Sequence, residues 1–280
     1  MAAPSAIADR SIVHAPWSEA RGDFAIGLRP VGVDRWLEGG EADPAARKDA
    51  LFAACRDLVW AETDGSREGQ SEILSMVEAA GAAPEPRPDL PPLYAAARAV
   101  ADDLCLMEKR AGEWRLTALS LSAGTFFTAA EVIGKPLAAL HAPVPGFGER
   151  FLARVARIFD TLRAGQVLER RNWTVMAGGE LFAPDGEAIR ARVAGIAPED
   201  AGAALFVRVE RQTLRRLPAS GGLVFTIRVW RHPLAALDAD PARRSAFARA
   251  WRGAAVDFRA YKRLATYDDL VEAYLRARRE

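Results

Sequence analysis

The stretch Leu205-Phe206-Val207-Arg208-Val209-Glu210-Arg211-Gln212-Thr213-Leu214 decides the reading of the fold. Its two-residue alternation and its valines predict a strand. Arg208, Glu210 and Gln212 then fall on one face, and Val209, Arg211 and Thr213 on the other. A half-buried strand ordinarily turns one apolar face to the core. Here charge sits mid-strand on both faces, which is costly inside a sheet unless each group finds a partner. The segment therefore predicts a strand beside a polar site, with a buried Glu–Arg network holding the sheet as the structural alternative.

Working outward, Val167–Met176 reads as a second strand with the same peculiarity, Glu169-Arg170-Arg171-Asn172-Trp173 at its centre. Alternation puts Arg170 and Asn172 on one face, Arg171 and Trp173 on the other. Leu223–Trp230 is a third strand, joined to Leu205–Leu214 by the hairpin loop Pro218-Ala219-Ser220-Gly221-Gly222. Upstream, Leu104–Lys109 and Trp114–Leu121 flank a turn at Ala111-Gly112. Between the two groups, Glu131 to Ala164 is mostly helical and is interrupted at His141-Ala142-Pro143-Val144-Pro145-Gly146. Its second helix carries Phe151, Val155, Ile158, Phe159 and Leu162 at helical spacing and stops at Gly165. Two strands, a helical crossover and three strands predict an α+β fold: a PAS-like antiparallel five-stranded sheet with its helical segment over one face.

The flanks are helical. After an irregular start with a short apolar segment at Phe24–Leu28, Asp43-Pro44 makes a helix start, a capping carboxylate followed by proline. A second helix is expected from near Ser66 to Val77, with Gly81 as its stop, and a short one over Tyr94–Ala101. Between them, Pro84-Glu85-Pro86-Arg87-Pro88-Asp89-Leu90-Pro91-Pro92 is the clearest linker. The tail from Asp240-Pro241 reads as helices, with Thr266 and Asp269 spaced like a capping box. The expected division is a helical extension over 1–90, a core over 91–235 and C-terminal helices over 236–280 packed on the core.

Composition narrows the function classes. The 280 residues are 50% hydrophobic and 27% charged, a globular balance. Net charge is +1, which argues against nucleic-acid binding through an overall field. Apolar runs are too short to span a bilayer, and Met1–Ser5 shows no secretory pattern, so a cytoplasmic protein is expected. Cys55 and Cys105, the only cysteines, are too few for a disulfide framework or an iron–sulfur site and read as buried thiols. The three histidines, His14, His141 and His232, form no clustered zinc motif. His14 and His232 read as surface or loop residues, and Trp114, Trp173 and Trp230 as core aromatics. No phosphate loop, dinucleotide fingerprint or nucleophile elbow is present.

Three dense segments remain: Ile133-Gly134-Lys135-Pro136-Leu137 leading into Leu140-His141-Ala142-Pro143-Val144-Pro145, then Glu169–Trp173, then Arg208–Pro218. In this order, with Arg29–Glu38 and Asp102-Asp103-Leu104, they resemble the family of haem-dependent oxidative N-demethylase alpha subunits. The likeness runs from about residue 24 to 275. Ser122-Ala123-Gly124-Thr125-Phe126-Phe127 departs from the family's Pro-Ser and Trp pattern, and Asp102 stands where a glutamate is expected.

The resemblance implies a PAS-like subunit that binds haem b and oxidises a small amine with dioxygen, using electrons from a separate flavin and iron–sulfur reductase subunit. On that reading His141, in the crossover, is the axial iron ligand. Lys135, Arg170, Arg171 and Asn172 contact the cofactor, arginine forks being natural partners of its carboxylates. Glu210, Arg211 and Gln212 are the expected catalytic set. The alternative is a haem-based gas or redox sensor without turnover. The chain carries no kinase, cyclase or DNA-binding segment through which it would signal by itself.

Overall fold

The computed structural model describes residues 12–19 and 25–278. Met1–Ser5 and Phe24, used in the sequence reading, lie outside the described residues. In chain order the elements are β1 (Arg29–Val31), α1 (Pro44–Val59), β2 (Trp60–Glu62), α2 (Arg67–Ala79), α3 (Pro92–Arg98), β3 (Asp103–Arg110) and β4 (Glu113–Ser120). The crossover follows as four short helices, α4 (Ala129–Val132), α5 (Leu137–Leu140), α6 (Phe147–Arg150) and α7 (Leu152–Thr161). Then come β5 (Val167–Ala177), α8 (Gly186–Ala191), α9 (Ala201–Ala204), β6 (Leu205–Arg216) and β7 (Leu223–Pro233). The tail is α10 (Pro241–Arg252), α11 (Val256–Tyr261) and α12 (Asp268–Arg276).

The fold is α+β, with one antiparallel sheet in the order β1-β5-β6-β7-β3-β4-β2. The five strands expected from the sequence are contiguous in its middle, and β5 and β6 pair along their whole length, from Val167↔Arg215 to Ala177↔Leu205. The sheet has seven strands rather than five, because the three-residue strands β1 and β2 pair with β5 and β4 at its edges. Segments that short carry no alternation to read. Strands β3 and β4 turn through Ala111 and Gly112, both at positive φ (49° and 84°). That is the conformation a two-residue hairpin needs.

The two faces have different covers. On one, Leu104, Leu106, Val167 and Val224 pack with Ile73, Val77 and Leu93 of α2 and α3. Farther along the same face, Trp173, Val207 and Val209 pack under Phe247, Trp251, Val271 and Tyr274 of α10 and α12. On the other face, Cys105, Met107, Leu214 and Leu223 meet the crossover through Leu137, Phe159 and Leu162.

Helix starts are set locally. Asp43 caps α1 by accepting from Ala46 N at 2.9 Å, and Asp240 caps α10 by accepting from Ala242 and Arg243 N. The capping box expected at Thr266 and Asp269 does not form: α12 begins at Asp268, its N-cap Tyr267 makes no side-chain cap, and Arg259 binds the Asp268 carboxylate instead. His232 is buried in β7 rather than on the surface, and Cys55 is half-buried, with only Cys105 fully inside. Trp114 and Trp173 are buried, while Trp230 is half-buried and donates to Glu38 at 3.0 Å. Among the described residues, no helix is long and apolar enough to cross a membrane.

Candidate functional site

Strand alternation divides the charged residues of β5 and β6 into two sets with different partners. On the face under the N-terminal segment, Glu169 and Arg211 are both fully buried and pair at 2.7 Å. Arg211 also pairs with Glu38 at 3.0 Å and donates to the carbonyls of Arg35 and Trp36. Arg171 adds a second bond to Glu169 at 2.8 Å, and Arg29 a third at 3.4 Å. Glu38 in turn binds His14 Nε2 at 2.9 Å. This network straps His14 and the segment Arg29–Glu38 across the sheet. It is the buried Glu–Arg arrangement weighed as the structural alternative, and it takes up Arg171 and Arg211.

The face beneath the crossover holds the other set. Glu210 Oε2 accepts from Asn172 Nδ2 at 2.9 Å and from Gln212 Nε2 at 3.0 Å. Asn172 Oδ1 accepts from Lys262 Nζ at 2.9 Å. Lysine can only donate, so this contact fixes which way the Asn172 amide points. Arg170 stands on the same face within electrostatic reach of Glu210, Tyr261 and His141, and its Nε is buried without a hydrogen-bond partner. An unpaired buried guanidinium nitrogen is costly, and such an atom calls for a ligand or a water. Arg208 shares the unpaired Nε, but its two terminal nitrogens donate to the carbonyls of Ala123 and Glu180. Asp103 grips the same loop, accepting from Ser122 N at 2.6 Å, Ser122 Oγ at 2.7 Å and Ala123 N at 3.0 Å. The loop that departs from the family pattern is thus clamped from two strands.

His141 ends α5. Its Nδ1 lies 2.9 Å from the Leu137 carbonyl, and its ring stacks on Phe147 at 4.2 Å between centroids, 10° from parallel. A carbonyl accepts only, so Nδ1 carries the proton and Nε2 keeps its lone pair, the tautomer a metal ligand needs. Burial pushes the imidazole below its usual proton affinity, the Arg170 charge adds to this, and the Leu137 bond opposes it. Lys135 is exposed, and its backbone carbonyl accepts from Leu116 N at 3.1 Å beside β4.

The structure therefore brings Arg170, Asn172, Glu210 and Gln212 together with His141 nearby, and separates Arg171, Arg211 and Lys135 from them. Tyr261 and Lys262, from the tail, escaped the sequence reading. The signal was there in composition: lysine occurs at only four positions in an arginine-rich chain, and one of them is 262. Among the described residues, no group of three or more His, Cys, Asp and Glu is placed to hold a metal ion.

Fold and site together define an α+β protein with a cation-rich polar cluster on the sheet face beneath a helical crossover that carries one ligand-competent histidine. Residues 77–272 match the family described as haem-dependent oxidative N-demethylase, alpha subunit-like, and the chain belongs to that family. The match includes His141, Arg170, Glu210 and Lys262 and leaves out the strap, with Arg29–Glu38. No curated protein matches the chain.

Proposed function

We propose that this chain is a haem-binding oxidoreductase subunit that removes a methyl group from a small amine, with His141 and Arg170 the residues that would hold haem b. The supporting observation is the pairing of His141, with its Nε2 lone pair free, and Arg170, whose buried Nε has no partner on the same face. These residues fit the cofactor: a neutral imidazole would serve as a ligand to its iron, and a buried guanidinium with an unpaired Nε would suit one of its carboxylates. Local charge agrees, since Arg170, Arg208 and Lys262 surround the one carboxylate Glu210 and haem brings two negative groups. The order β4-β3-β7-β6-β5 with the crossover between β4 and β5 is PAS-like on this reading. We divide the chain at 1–90, 91–235 and 236–280, the last part lending Lys262 to the core.

When bound, the haem supplies dioxygen activation. The overall change consumes the N-methyl amine, dioxygen, two electrons and two protons, and yields the demethylated amine, formaldehyde and water. The electrons come from a separate flavin and iron–sulfur reductase subunit, in keeping with a family named for an alpha subunit. The chain's own residues bind and orient. Both amide bonds to Glu210 fall on Oε2, so Oε1 is the oxygen that accepts the amine N–H. Gln212 and Asn172 hold that carboxylate still.

Glu210→Gln is expected to weaken amine binding by about tenfold or more, roughly the 1.5–3 kcal/mol of a charge-assisted bond. Calorimetry with dimethylammonium measures it, and unchanged affinity would remove Glu210 from the site. Haem retention should also depend on pH in a defined direction. Because His141 is held below the ordinary imidazole value of 6.5, coordination persists as pH falls through that value and is lost only at lower pH. A spectrophotometric pH titration that loses the band above pH 6.5 contradicts this assignment. The sensor reading shares the cofactor and differs in making no use of Glu210 Oε1.

A further inference from the structure

Lys262, just after α11, and Glu210, on β6, carry opposite charges, yet each binds the opposite end of a single amide, Asn172, instead of the other. Opposite charges left this close to one another tend to collapse into an ion pair. Asn172 prevents the collapse by presenting Oδ1 to the lysine and Nδ2 to the carboxylate. Lys262 is also placed by the Tyr261 ring, whose centroid lies 5.4 Å from Nζ. The bonds described use one of the three N–H donors of Lys262 and one oxygen of Glu210. A cationic and an anionic recognition group thus stand side by side, each with bonding capacity left.

We propose that the substrate is a zwitterionic N-methylated amine of the amino-acid type, its nitrogen bound by Glu210 Oε1 and its carboxylate by Lys262 Nζ. This rests on the reading of Glu210 as the amine acceptor and adds the second half of the ligand. The electrostatics favour a zwitterion over a simple ammonium. Lys262 feels the cations Arg170 and Arg208 and the single carboxylate Glu210. A bare ammonium bound to Glu210 leaves the Lys262 charge beside it unanswered, while a zwitterion brings its own negative charge to that lysine, and discrimination of this kind works through repulsion as much as attraction. Arg208 gives its terminal nitrogens to two backbone carbonyls and Arg170 is assigned to the cofactor's carboxylates, which leaves Lys262 for the substrate carboxylate. The C-terminal segment then completes the site as well as packing beside the sheet.

The test is calorimetric titration of the full-length chain, with haem supplied, using N-methylglycine, dimethylammonium and acetate. The wild-type chain is expected to bind N-methylglycine at least about tenfold tighter than either of the others, an increment of one charge-assisted contact. Lys262→Met should remove that preference, read as the ratio of N-methylglycine to dimethylammonium affinity within the variant. Lys262→Gln, which keeps a polar N–H donor on a side chain one bond shorter and removes the charge, should lose the preference as Lys262→Met does. Lys262→Arg should keep part of the preference. If Glu210→Gln weakens both amines but Lys262→Gln retains the wild-type preference, or the wild-type chain shows none, the zwitterion assignment is overturned and the amine reading stands. If Glu210→Gln leaves both amines unaffected, the amine reading itself falls.

Discussion

His141→Ala is expected to lose stoichiometric haem binding while keeping the fold. The imidazole ends a four-residue helix, and its one hydrogen bond, to Leu137, is local, so little of the core depends on it. Neither remaining histidine is placed to substitute. His14 is bound to Glu38 in the strap, and His232 is buried in β7 opposite Val207, on the face turned away from the crossover. An axial ligand on a buried porphyrin carries much of the affinity, and hydrophobic contact alone retains a weaker, non-stoichiometric association. Haem content per chain and the Soret band read the loss, and added imidazole should restore part of the band by filling the vacated position. An alanine variant with wild-type haem content and an unchanged band would exclude His141 as the ligand.

The second large effect is on stability. Arg211→Met should cost at least about 3 kcal/mol, the lower end of the range for removing one partner of a buried ion pair. The substitution leaves the fully buried Glu169 carboxylate with Arg171 and the more distant Arg29, and strips donors from the carbonyls of Arg35 and Trp36. Partial compensation by Arg171 keeps the expected loss toward the lower end. The urea midpoint measures it, and a loss under about 1 kcal/mol would mean that the strap contributes little. Haem and amine binding should survive under folding conditions, because Arg211 lies on the face opposite Glu210. That separation distinguishes a fold-holding arginine from the site residues Glu210 and Gln212 one position away on the same strand.

Much of this architecture was legible in the sequence for physical reasons that can be named. Strands β5, β6 and β7 are long enough for alternation to show, and the charges at the centres of β5 and β6 announced that both faces needed partners. Alternation also correctly paired Arg170 with Asn172 and Glu210 with Gln212. What alternation lacks is the knowledge of which face meets which cover. Arg211 sits between Glu210 and Gln212 in sequence, yet its partners come from residues 35, 36, 38 and 169, far away along the chain. The rarity of lysine marked Lys262, but its partner did not show for the same reason: it reaches Asn172 across ninety positions from a helical tail. The edge strands β1 and β2 were too short to carry a period. The Thr266 and Asp269 spacing misled because an ion pair from Arg259 secures the helix start instead.

On the proposal above, haem and an amine meet between His141 of the crossover and the sheet face that carries Arg170 and Glu210. The most direct test is an absorption spectrum of the full-length chain with one equivalent of haem, before and after titration with N-methylglycine and with dimethylammonium. A Soret band at one haem per chain, shifting saturably with amine in the wild-type chain and not in Glu210→Gln, is the predicted result. A chain that takes up no haem, or a band that responds to carbon monoxide and ignores both amines, would contradict it.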